Sequence, residues 1–174
     1  MSDGNQNRES ADLNTLLVLL EDAPGKLVTL TSDLSDGELR WKHSGEEFSA
    51  LENICHLRDL EVQGYAPRIR RMLEETNPVL PDFDGARVAA ENNYNNEAPG
   101  EALETFAKAR QENVEKLRGL PAKQLERKGV LEGVGTITLK QLAEKMREHD
   151  EGHFEDLRVL RIQLSRSSEI ENAR

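Results

Sequence analysis

The chain has 174 residues, of which 36% are hydrophobic and 32% charged, and its formal net charge is −10. This length suits one domain with a sizeable core, and an acidic balance without a basic patch argues against binding to nucleic acid or anionic lipid. The polar start lacks the apolar stretch of a signal peptide, and no apolar run is long enough to cross a membrane. One cysteine, Cys55, permits no internal disulfide and fits the reducing cytoplasm, where we expect the protein to be.

The first helical pattern follows a polar stretch at residues 1–9, which we expect to be a flexible tail. Leucines at helical spacing predict helix 1 from Ser10 or Asp12 to about Leu34. Pro24 lies inside this pattern and predicts a kink or a break, because proline removes a backbone donor and crowds the preceding turn.

Capping boxes, in which a Ser or Thr precedes a Glu or Gln by three positions, mark three helix starts. They are Ser35–Glu38, Ser49–Glu52 and Thr138–Gln141. The first begins a short turn that leads to Trp41, the second begins helix 2, which continues to about Glu75, and the third begins helix 4. A lone Trp in such a turn is typical of a plug at the end of a bundle, so we assign it no chemistry.

Helix 2 has apolar residues on two faces. Its main apolar arc comprises Leu51, Ile54, Cys55, Val62, Tyr65, Ile69, Met72 and Leu73. Pro67 lies in this pattern and should bend the helix. A shorter strip on the other side, Leu57–Leu60–Gly64, predicts burial against another helix, from the same chain or from a twofold partner. Because Cys55 faces the main arc, we expect a core side chain rather than a nucleophile.

One histidine of helix 2, His56, stands outside that main arc. It lies about 100° away from the arc, beside Glu52, Asp59 and Gln63. The pattern alone therefore predicts that His56 is exposed to solvent rather than a ligand.

Residues 76–100 form a long connection rich in Pro, Gly and Asn, within which Asp84 to Tyr94 predicts a short helix. Connections of this length are often functional lids and often simple crossovers, and the sequence leaves both open. Helix 3 is predicted from about Glu101 to Leu117. The Gly-rich residues 119–137 predict a loop or a small β excursion.

Helix 4, predicted over Thr138 to Leu164, carries two histidines in its apolar stripe. The stripe consists of Leu142, Met146, His149, His153, Leu157, Leu160 and Leu164. These residues fall within an arc of about 80°. His149 and His153 therefore replace two core residues. Each needs a partner inside the fold, because an unpaired buried imidazole costs a few kcal/mol.

Two partners are possible for this histidine pair. The H-x-x-x-H spacing alone favours core histidines hydrogen-bonded to a neighbouring carboxylate, since the motif is loose. The position of both residues on the helix seam instead favours a metal ion, which can serve two histidines one turn apart. Asp150 follows His149 where a zinc protease motif needs glutamate, which argues against a zinc protease.

Two segments resemble DinB/YfiT-like proteins. The run LSDGELRWKHSGEEFSALENICHLRDLE, from Leu34, has the Trp turn of that family before a capped helix in which a histidine precedes leucine and acidic residues. The run GVGTITLKQLAEKMREHDEGHFEDLRVLR, from Gly133, is similar to the last bundle helix of the family with its H-D-x-x-H pair. The resemblance covers roughly residues 12–165 in the same order.

The resemblance and the helical patterns together predict an all-α fold, a four-helix bundle of the DinB/YfiT-like type with a long connection between helices 2 and 3. We expect the bundle domain over residues 10–165, between an N-terminal tail at 1–9 and a C-terminal tail at 166–174. The family is often homodimeric, and the resemblance therefore implies a homodimer.

The resemblance also implies a divalent metal held by three histidines, and the matching positions are His56, His149 and His153. On this basis His56 is a ligand at the rim of the site, and one of its polar neighbours on helix 2 binds its second nitrogen or lines the pocket. His43 matches no ligand position and is expected at the surface. Zinc or nickel is expected first, with iron or manganese also open, since imidazole suits several metals.

Three imidazoles without a fourth protein ligand leave coordination positions open, as in catalytic centres. Relatives of the family include metal-dependent transferases and isomerases that use small thiols such as bacillithiol or mycothiol. We therefore expect a metal-dependent S-transferase that acts on a small-molecule substrate with a low-molecular-weight thiol. The alternatives are a metal-dependent hydrolase, a non-catalytic metal-binding or stress-related module, and a structural dimer with vestigial histidines. Tyr94 and Asn95 of the long connection are expected to shape the substrate pocket.

Overall fold

Four long helical segments run side by side and carry the site. The computed structural model describes residues 3–45 and 47–172, with side chains from 12 to 45 and from 47 to 167. The first segment is α1 (Asp3–Thr31), and the second consists of α3 (Ala50–Asp59), a π-helical turn (Leu60–Tyr65) and α4 (Ala66–Glu74). The third is α6 (Pro99–Arg118) and the fourth is α8 (Leu139–Asn172). The shorter helices are α2 (Asp36–Arg40), α5 (Gly85–Asn92), α7 (Ala122–Leu125) and a 3-10 turn (Tyr94–Asn96).

This architecture confirms the predicted all-α four-helix bundle with a long connection between its second and third segments. Two groups of buried side chains fill the space between the four segments. One group contains Leu51, Phe106 and Phe154, and the other contains Met72 and Met146. The three predicted capping boxes are all formed, so the local signals that begin α2, α3 and α8 are confirmed.

Both terminal helices extend past their predicted ends. α1 begins at Asp3 rather than at Ser10 or Asp12, and α8 continues to Asn172 rather than ending near Leu164. The leucine pattern marks only the part of a helix that packs, whereas a helix propagates beyond it at little cost per residue. α1 continues through Pro24 without a break. Residues 1–2 and 173–174 of the expected tails lie outside the described residues.

The second long segment accommodates its proline through a widened turn. Where the sequence predicts a bend at Pro67, the backbone forms the π-helical turn, and the Ala66 N–H donates to the Glu61 carbonyl five residues earlier. Pro67 has no N–H and its ring crowds the preceding turn, so it is tolerated near the start of a helix such as α4. Helix 2 is therefore one segment with a local change of helix type.

The long connection combines a strand and a helix. β1 (Val79–Leu80) pairs in parallel with β2 (Lys128–Leu131), which forms an antiparallel hairpin with β3 (Gly135–Thr138). The small β excursion predicted for residues 119–137 is therefore confirmed. α5 confirms the short helix predicted between Asp84 and Tyr94, and the Asp84 side chain caps it by accepting from the Arg87 N–H.

The second apolar strip of helix 2 is covered by the chain itself. Leu57 is 2% exposed and Leu60 is 6% exposed, and Gly64 is buried as well. The strip therefore gives no support for a twofold partner. Val62 was predicted on the main apolar arc but is 42% exposed, because the π-helical turn shifts the helical phase at this position. Among the described helices, none combines the length and apolar character needed to cross a membrane.

Candidate metal centre

Three histidines from two helices meet inside the bundle. His56 lies on α3, and His149 and His153 lie one turn apart on α8, so the last two project from the same face of that helix. His56 is 7% exposed, whereas His149 and His153 are partly buried. The cluster therefore lies in the interior but keeps some access to solvent.

The ring nitrogens of the three histidines converge on one point. The Nε2 atom of His149 lies 3.2 Å from Nε2 of His56 and 3.2 Å from Nε2 of His153. One nitrogen from each ring can be chosen so that all three lie within 4.8 Å of one another. No other group of three His, Cys, Asp or Glu side chains in the described part of the chain has this arrangement.

The arrangement fits a divalent ion. A nitrogen ligand lies about 2.0–2.1 Å from zinc, so two such ligands at tetrahedral or octahedral angles are about 2.9–3.4 Å apart. The observed separations of 3.2 Å fall in this range. Without an ion, three Nε2 atoms that face one another cannot all be satisfied, because each close pair needs one N–H donor. The three histidines therefore form a set that could hold a divalent metal.

Asn53 fixes the tautomer of one of these histidines. Its Nδ2 donates to the Ser49 carbonyl oxygen at 2.9 Å, which leaves Oδ1 to face His153. Nδ1 of His153 lies 2.7 Å from that oxygen and must carry the proton to donate to it. The lone pair of His153 is therefore on Nε2, where the three rings converge. This is the usual way in which a metal-binding histidine is oriented.

Burial keeps the three imidazoles neutral. It lowers the pKa of His56 to about 4, and the neighbouring His153 adds to this effect. Burial also lowers the pKa of His149 to about 4, with His56, Arg110 and Arg68 contributing in the same direction. The pKa of His153 falls to about 3, through burial and through His149. Neutral imidazole is the form that binds metal, so the cluster is prepared for a cation at neutral pH.

Aromatic rings and one glycine surround His56. The ring of Phe48 lies 5.5 Å from that of His56 between centroids, and the ring of Phe83 lies at 5.9 Å. Gly85, the first residue of α5, is so close that a Cβ atom there would lie 2.3 Å from Cε1 of His56. The long connection thus closes over this histidine and holds its ring by contact.

Comparison with known families assigns the chain. A family model of the DinB superfamily matches residues 19–157. The chain belongs to the DinB superfamily. A comparison with curated proteins finds no match.

One solved structure has a fold similar to that of this chain. YfiT from Bacillus subtilis, a probable metal-dependent hydrolase with an unusual four-helix bundle topology, matches with a TM-score of 0.81. The match covers 88% of this chain and 87% of YfiT, at 19% sequence identity. At that identity the likeness shows the fold alone.

A buried ion network lies next to the histidines of this DinB chain. Arg110 is 1% exposed and donates to Asp150 through both terminal nitrogens, at 2.6 and 3.0 Å. It also donates to Glu61 at 2.8 Å, and Glu61 accepts from the Asn113 amide at 2.8 Å. Glu61 lies in the π-helical turn and Asp150 directly follows His149, so the network ties three long segments together beside the site.

The position of His56 contradicts the prediction, made from the helical pattern alone, that this residue is exposed to solvent. That prediction placed it in solvent, but Phe83 and Gly85 of the long connection cover this face of α3. A periodicity within one helix carries no information about a cover supplied by a remote segment. The structure brings His56 together with His149 and His153, as the resemblance implied, and their binding of a metal stays a prediction.

A hydrogen bond between the second nitrogen of His56 and Glu52, Asp59 or Gln63, one of the two roles considered for these neighbours, is not formed. Nδ1 of His56 is buried and has no hydrogen-bond partner in the described part of the chain. Glu52 completes its capping box, Asp59 accepts from the hydroxyl of Tyr94 at 2.6 Å, and Gln63 is exposed. A hydrogen bond from the α8 pair to a carboxylate is also not formed: His153 bonds to an amide, and Nδ1 of His149 is buried without a hydrogen-bond partner in the described part of the chain.

Tyr94 and Asn95 brace the fold around α3. Tyr94 is fully buried and donates to Asp59, one turn after His56. The Asn95 amide donates to the Arg40 carbonyl oxygen at 2.9 Å, and its oxygen accepts from the Ser49 hydroxyl at 2.7 Å. The Tyr94 hydroxyl and the Asn95 side-chain amide, which were expected to line the substrate pocket, are therefore hydrogen-bonded within the fold.

Two further predictions concern Cys55 and His43. Cys55 is fully buried, and burial raises its pKa to about 12, so the predicted core role is confirmed. His43 is exposed and lies outside the cluster, as expected. Asn53, Arg68 and Gly85 were not singled out from the sequence, because their contacts are with distant segments of the chain.

Proposed function

We propose that this DinB superfamily protein is a metal-dependent enzyme that holds one divalent ion through Nε2 of His56, His149 and His153. The convergence of the three Nε2 atoms is the observation that carries the proposal. No fourth His, Cys, Asp or Glu joins the cluster among the described residues, so coordination positions stay free for a substrate. We expect zinc or nickel, with iron or manganese as alternatives.

The proposed reaction is transfer of a small thiol to an electrophilic substrate. A divalent ion with free positions binds a thiol, lowers its pKa and supplies a nucleophile at neutral pH. The side chains near the histidines are suited to a reaction that needs no protein base. Asp59 and Asp150 are each engaged in hydrogen bonds within the fold, and Asp156 lies 3.8 Å from Nδ1 of His153, on the far side of the ring from Nε2.

A cavity beside the histidines offers room for a substrate. It has a volume of about 430 Å³, and two of the residues that line it contact the histidine cluster. Phe48 packs against His56, and Asn53 forms a hydrogen bond with His153. Val159 and Leu160 of α8 form an apolar side, and Asp156 lies at the polar side. The size and the mixed lining favour a small organic molecule.

Hydrolysis of a small amide or ester is the second candidate. The fold likeness to YfiT, a probable metal-dependent hydrolase, favours it. Both reactions use the same histidines and the same free positions. They differ in whether a thiol is consumed, so a thiol requirement separates them.

The test is an assay of metal-loaded protein with several low-molecular-weight thiols and a model electrophile, next to metal-stripped protein. Thiol transfer predicts loss of the thiol above the uncatalysed rate in the loaded sample only. Product formation without thiol would favour hydrolysis instead. If loaded and stripped samples match the uncatalysed rate in every condition, the protein is a non-catalytic metal-binding module.

Two further expectations belong to this proposal. The single buried Cys55 agrees with a reducing cytoplasm as its location. A homodimer now rests on the resemblance alone, since Leu57, Leu60 and Gly64 are covered within the chain. Sedimentation at micromolar concentration tests it, and a monomer there would remove the dimer from the proposal.

A further inference from the structure

Arg68 of α4 is a buried cation without a carboxylate partner. Its side chain is 6% exposed, and its Nη2 donates to the Pro81 carbonyl oxygen at 2.7 Å. Its Nε is buried and has no hydrogen-bond partner in the described part of the chain. No ion pair of Arg68 is formed among those residues either. Burial lowers the pKa of this guanidinium, which reflects the cost of keeping a charge there.

Arg110 is a second buried guanidinium, and its Nε also has no hydrogen-bond partner in the described part of the chain, but its charge is paired with carboxylates. Arg110 is 1% exposed and pairs with two carboxylates, Glu61 and Asp150. A buried charge that lacks such pairing costs several kcal/mol, so it is retained where something else compensates it. The ring of Tyr65 lies 5.7 Å from the guanidinium carbon of Arg68 and compensates it in part.

The Arg68 side chain lines a small cavity near the histidines. The cavity has a volume of about 80 Å³, and its lining includes Gly64, Arg68 and Phe83. Phe83 is the ring that packs against His56, and Tyr65, which contacts Arg68, lies 6.4 Å from the ring of His149 between centroids. Phe83 and Tyr65 thus each neighbour both Arg68 and one of the candidate metal ligands.

We propose that Arg68 binds an oxyanion group, a carboxylate or a phosphate, of the substrate or thiol that reacts at the histidine cluster. This inference rests on the proposed function and adds a substrate class to it. The cavity holds roughly two or three waters, at about 30 Å³ each, which is room for one such group rather than for a whole molecule. The rest of the ligand would lie toward the histidines.

The chemistry of the guanidinium matches this class. Arginine presents a planar fork of donors that bonds carboxylate and phosphate oxygens in pairs, and such charge-assisted bonds are stronger than neutral ones. The Nε atom of Arg68 is enclosed by the protein, and Nη2 is bonded to Pro81, so Nη1, which forms no hydrogen bond in the described part of the chain, is the donor of that fork left for a ligand. An oxyanion would satisfy it and would neutralise a buried charge in one step.

Among the described residues, Asp82 is the one carboxylate that lines the same cavity. Its Oδ1 accepts from the Phe83 N–H at 2.8 Å, and its own N–H donates to Glu132 at 3.1 Å. Asp82 therefore holds the loop locally and forms no salt bridge with Arg68 in the described part of the chain, although its negative charge acts against the lowering of the pKa of Arg68 by burial. It opposes an incoming anion, so Asp82→Asn should strengthen anion binding.

A purely structural role for Arg68 is the alternative. The bond from Arg68 to the Pro81 carbonyl oxygen fastens the loop after β1 to α4. Such a clamp predicts a loss of stability on substitution but no selectivity between charged and neutral ligands. Binding selectivity is therefore the measurement that separates the two roles.

The experiment titrates cobalt-loaded protein with mercaptoalkanoic acids of increasing chain length and with the matching neutral amides. The thiolate-to-cobalt absorption gives a dissociation constant for each ligand. We expect at least one acid to bind about tenfold more tightly than its amide, a difference of about 1.4 kcal/mol, because a hydrogen bond to a charged group is stronger than one to a neutral group. In Arg68→Gln this ratio should fall to about one while the amide keeps its affinity, and Arg68→Lys, which keeps the charge, should retain part of it.

Arg71→Gln is the matched control, because Arg71 lines the same cavity but is paired with Glu75. It should keep the wild-type ratio. The proposal is overturned if no acid is preferred in wild-type protein, or if the preference persists in Arg68→Gln, since chelation of cobalt by the carboxylate would then explain it.

A second arm separates this proposal from thiol transfer. If no thiol produces the cobalt absorption, the protein does not bind thiols at the metal. In that case zinc-loaded protein is titrated with acetate, inorganic phosphate and neutral acetamide, and binding of each probe is monitored by the broadening of its nuclear magnetic resonance signal. Broadening of acetate or phosphate that is absent for acetamide and lost in Arg68→Gln supports the oxyanion site, and the anion that responds identifies the source. Equal behaviour of all three probes, or no effect of the substitution, overturns it.

Discussion

The side-chain oxygen of Asn53 lies 2.7 Å from Nδ1 of His153, and this contact connects the start of α3 to a histidine of α8. The Asn53 amide is held in turn by the Ser49 carbonyl oxygen at the cap of α3. The N-cap residue that begins the helix therefore also helps to set the orientation of a ring in the candidate metal centre. The two bonds together determine which nitrogen of His153 is free to bind.

The first prediction concerns this contact. Asn53→Leu removes the acceptor for the Nδ1 proton of His153, so the ring loses both its fixed tautomer and its orientation. Metal affinity should fall by about 10- to 100-fold, as is typical when such a supporting bond is lost. Competition with a coloured chelator at neutral pH measures it.

Asn53→Asp is the control for that substitution. A carboxylate still accepts from Nδ1 of His153, although it can no longer donate to Ser49. Affinity close to that of the wild type is expected. Equal losses in the leucine and aspartate variants would show that the residue acts through packing of α3 rather than through the ring proton.

The second prediction concerns Gly85. A methyl group at this position would lie 2.3 Å from Cε1 and 2.6 Å from Nδ1 of His56, so Gly85→Ala must displace the ring. Metal affinity should fall by about tenfold or more. Gly100→Ala, in the first turn of α6 with nothing within 4 Å of the new methyl group, is the matched control and should have no effect. Wild-type affinity in Gly85→Ala would mean that His56 does not bind the metal in this position.

The third prediction concerns the buried ion network. Arg110→Met leaves Glu61 and Asp150 buried without their cation, which should cost about 3–5 kcal/mol in the free energy of unfolding. Urea unfolding of metal-free protein measures it. Arg118→Met removes an exposed arginine that pairs with Glu21 and should change stability little. A comparable small effect of Arg110→Met would mean that the network is not needed for folding.

The long helices of this fold could be predicted because each carries its own signal. The capping boxes at Ser49 and Thr138 and the leucine spacings are local, and the structure confirms them. The α8 histidines could be predicted in the same way, because two polar residues in the apolar stripe of a helix are visible from the sequence of that helix alone.

The remaining parts of the site depend on contacts between distant segments. His56 is covered by Phe83 and Gly85, which no periodicity within α3 reveals, so the pattern placed it in solvent. The same holds for Asn53, whose partner lies 100 residues away on α8. Only the resemblance to a known family brought His56 to the α8 histidines.

The fourth prediction concerns acidification of metal-free protein. Burial lowers the pKa of His56 and His149 from 6.5 to about 4, and that of His153 to about 3. Between these values and 6.5 the unfolded chain binds more protons than the folded chain, so unfolding is favoured as the pH falls. The contribution of these groups to stability is present above pH 6.5 and is lost as the pH falls toward about 4 for His56 and His149 and toward about 3 for His153.

Urea midpoints at pH 7 and pH 5 measure this dependence, in wild-type protein and in a variant with all three histidines replaced by glutamine. The wild type should lose more stability than the variant on acidification. An identical pH dependence of both proteins would show that the buried histidines do not remain neutral in the folded state.

The metal content of protein purified without chelator and without a nickel column tests the central claim most directly. Wild-type protein should hold about one divalent ion per chain. His149→Ala and His153→Ala should lose it, His56→Ala should weaken it substantially, and His43→Ala, at an exposed residue outside the cluster, should keep it. Unchanged metal content in both α8 variants would contradict the account.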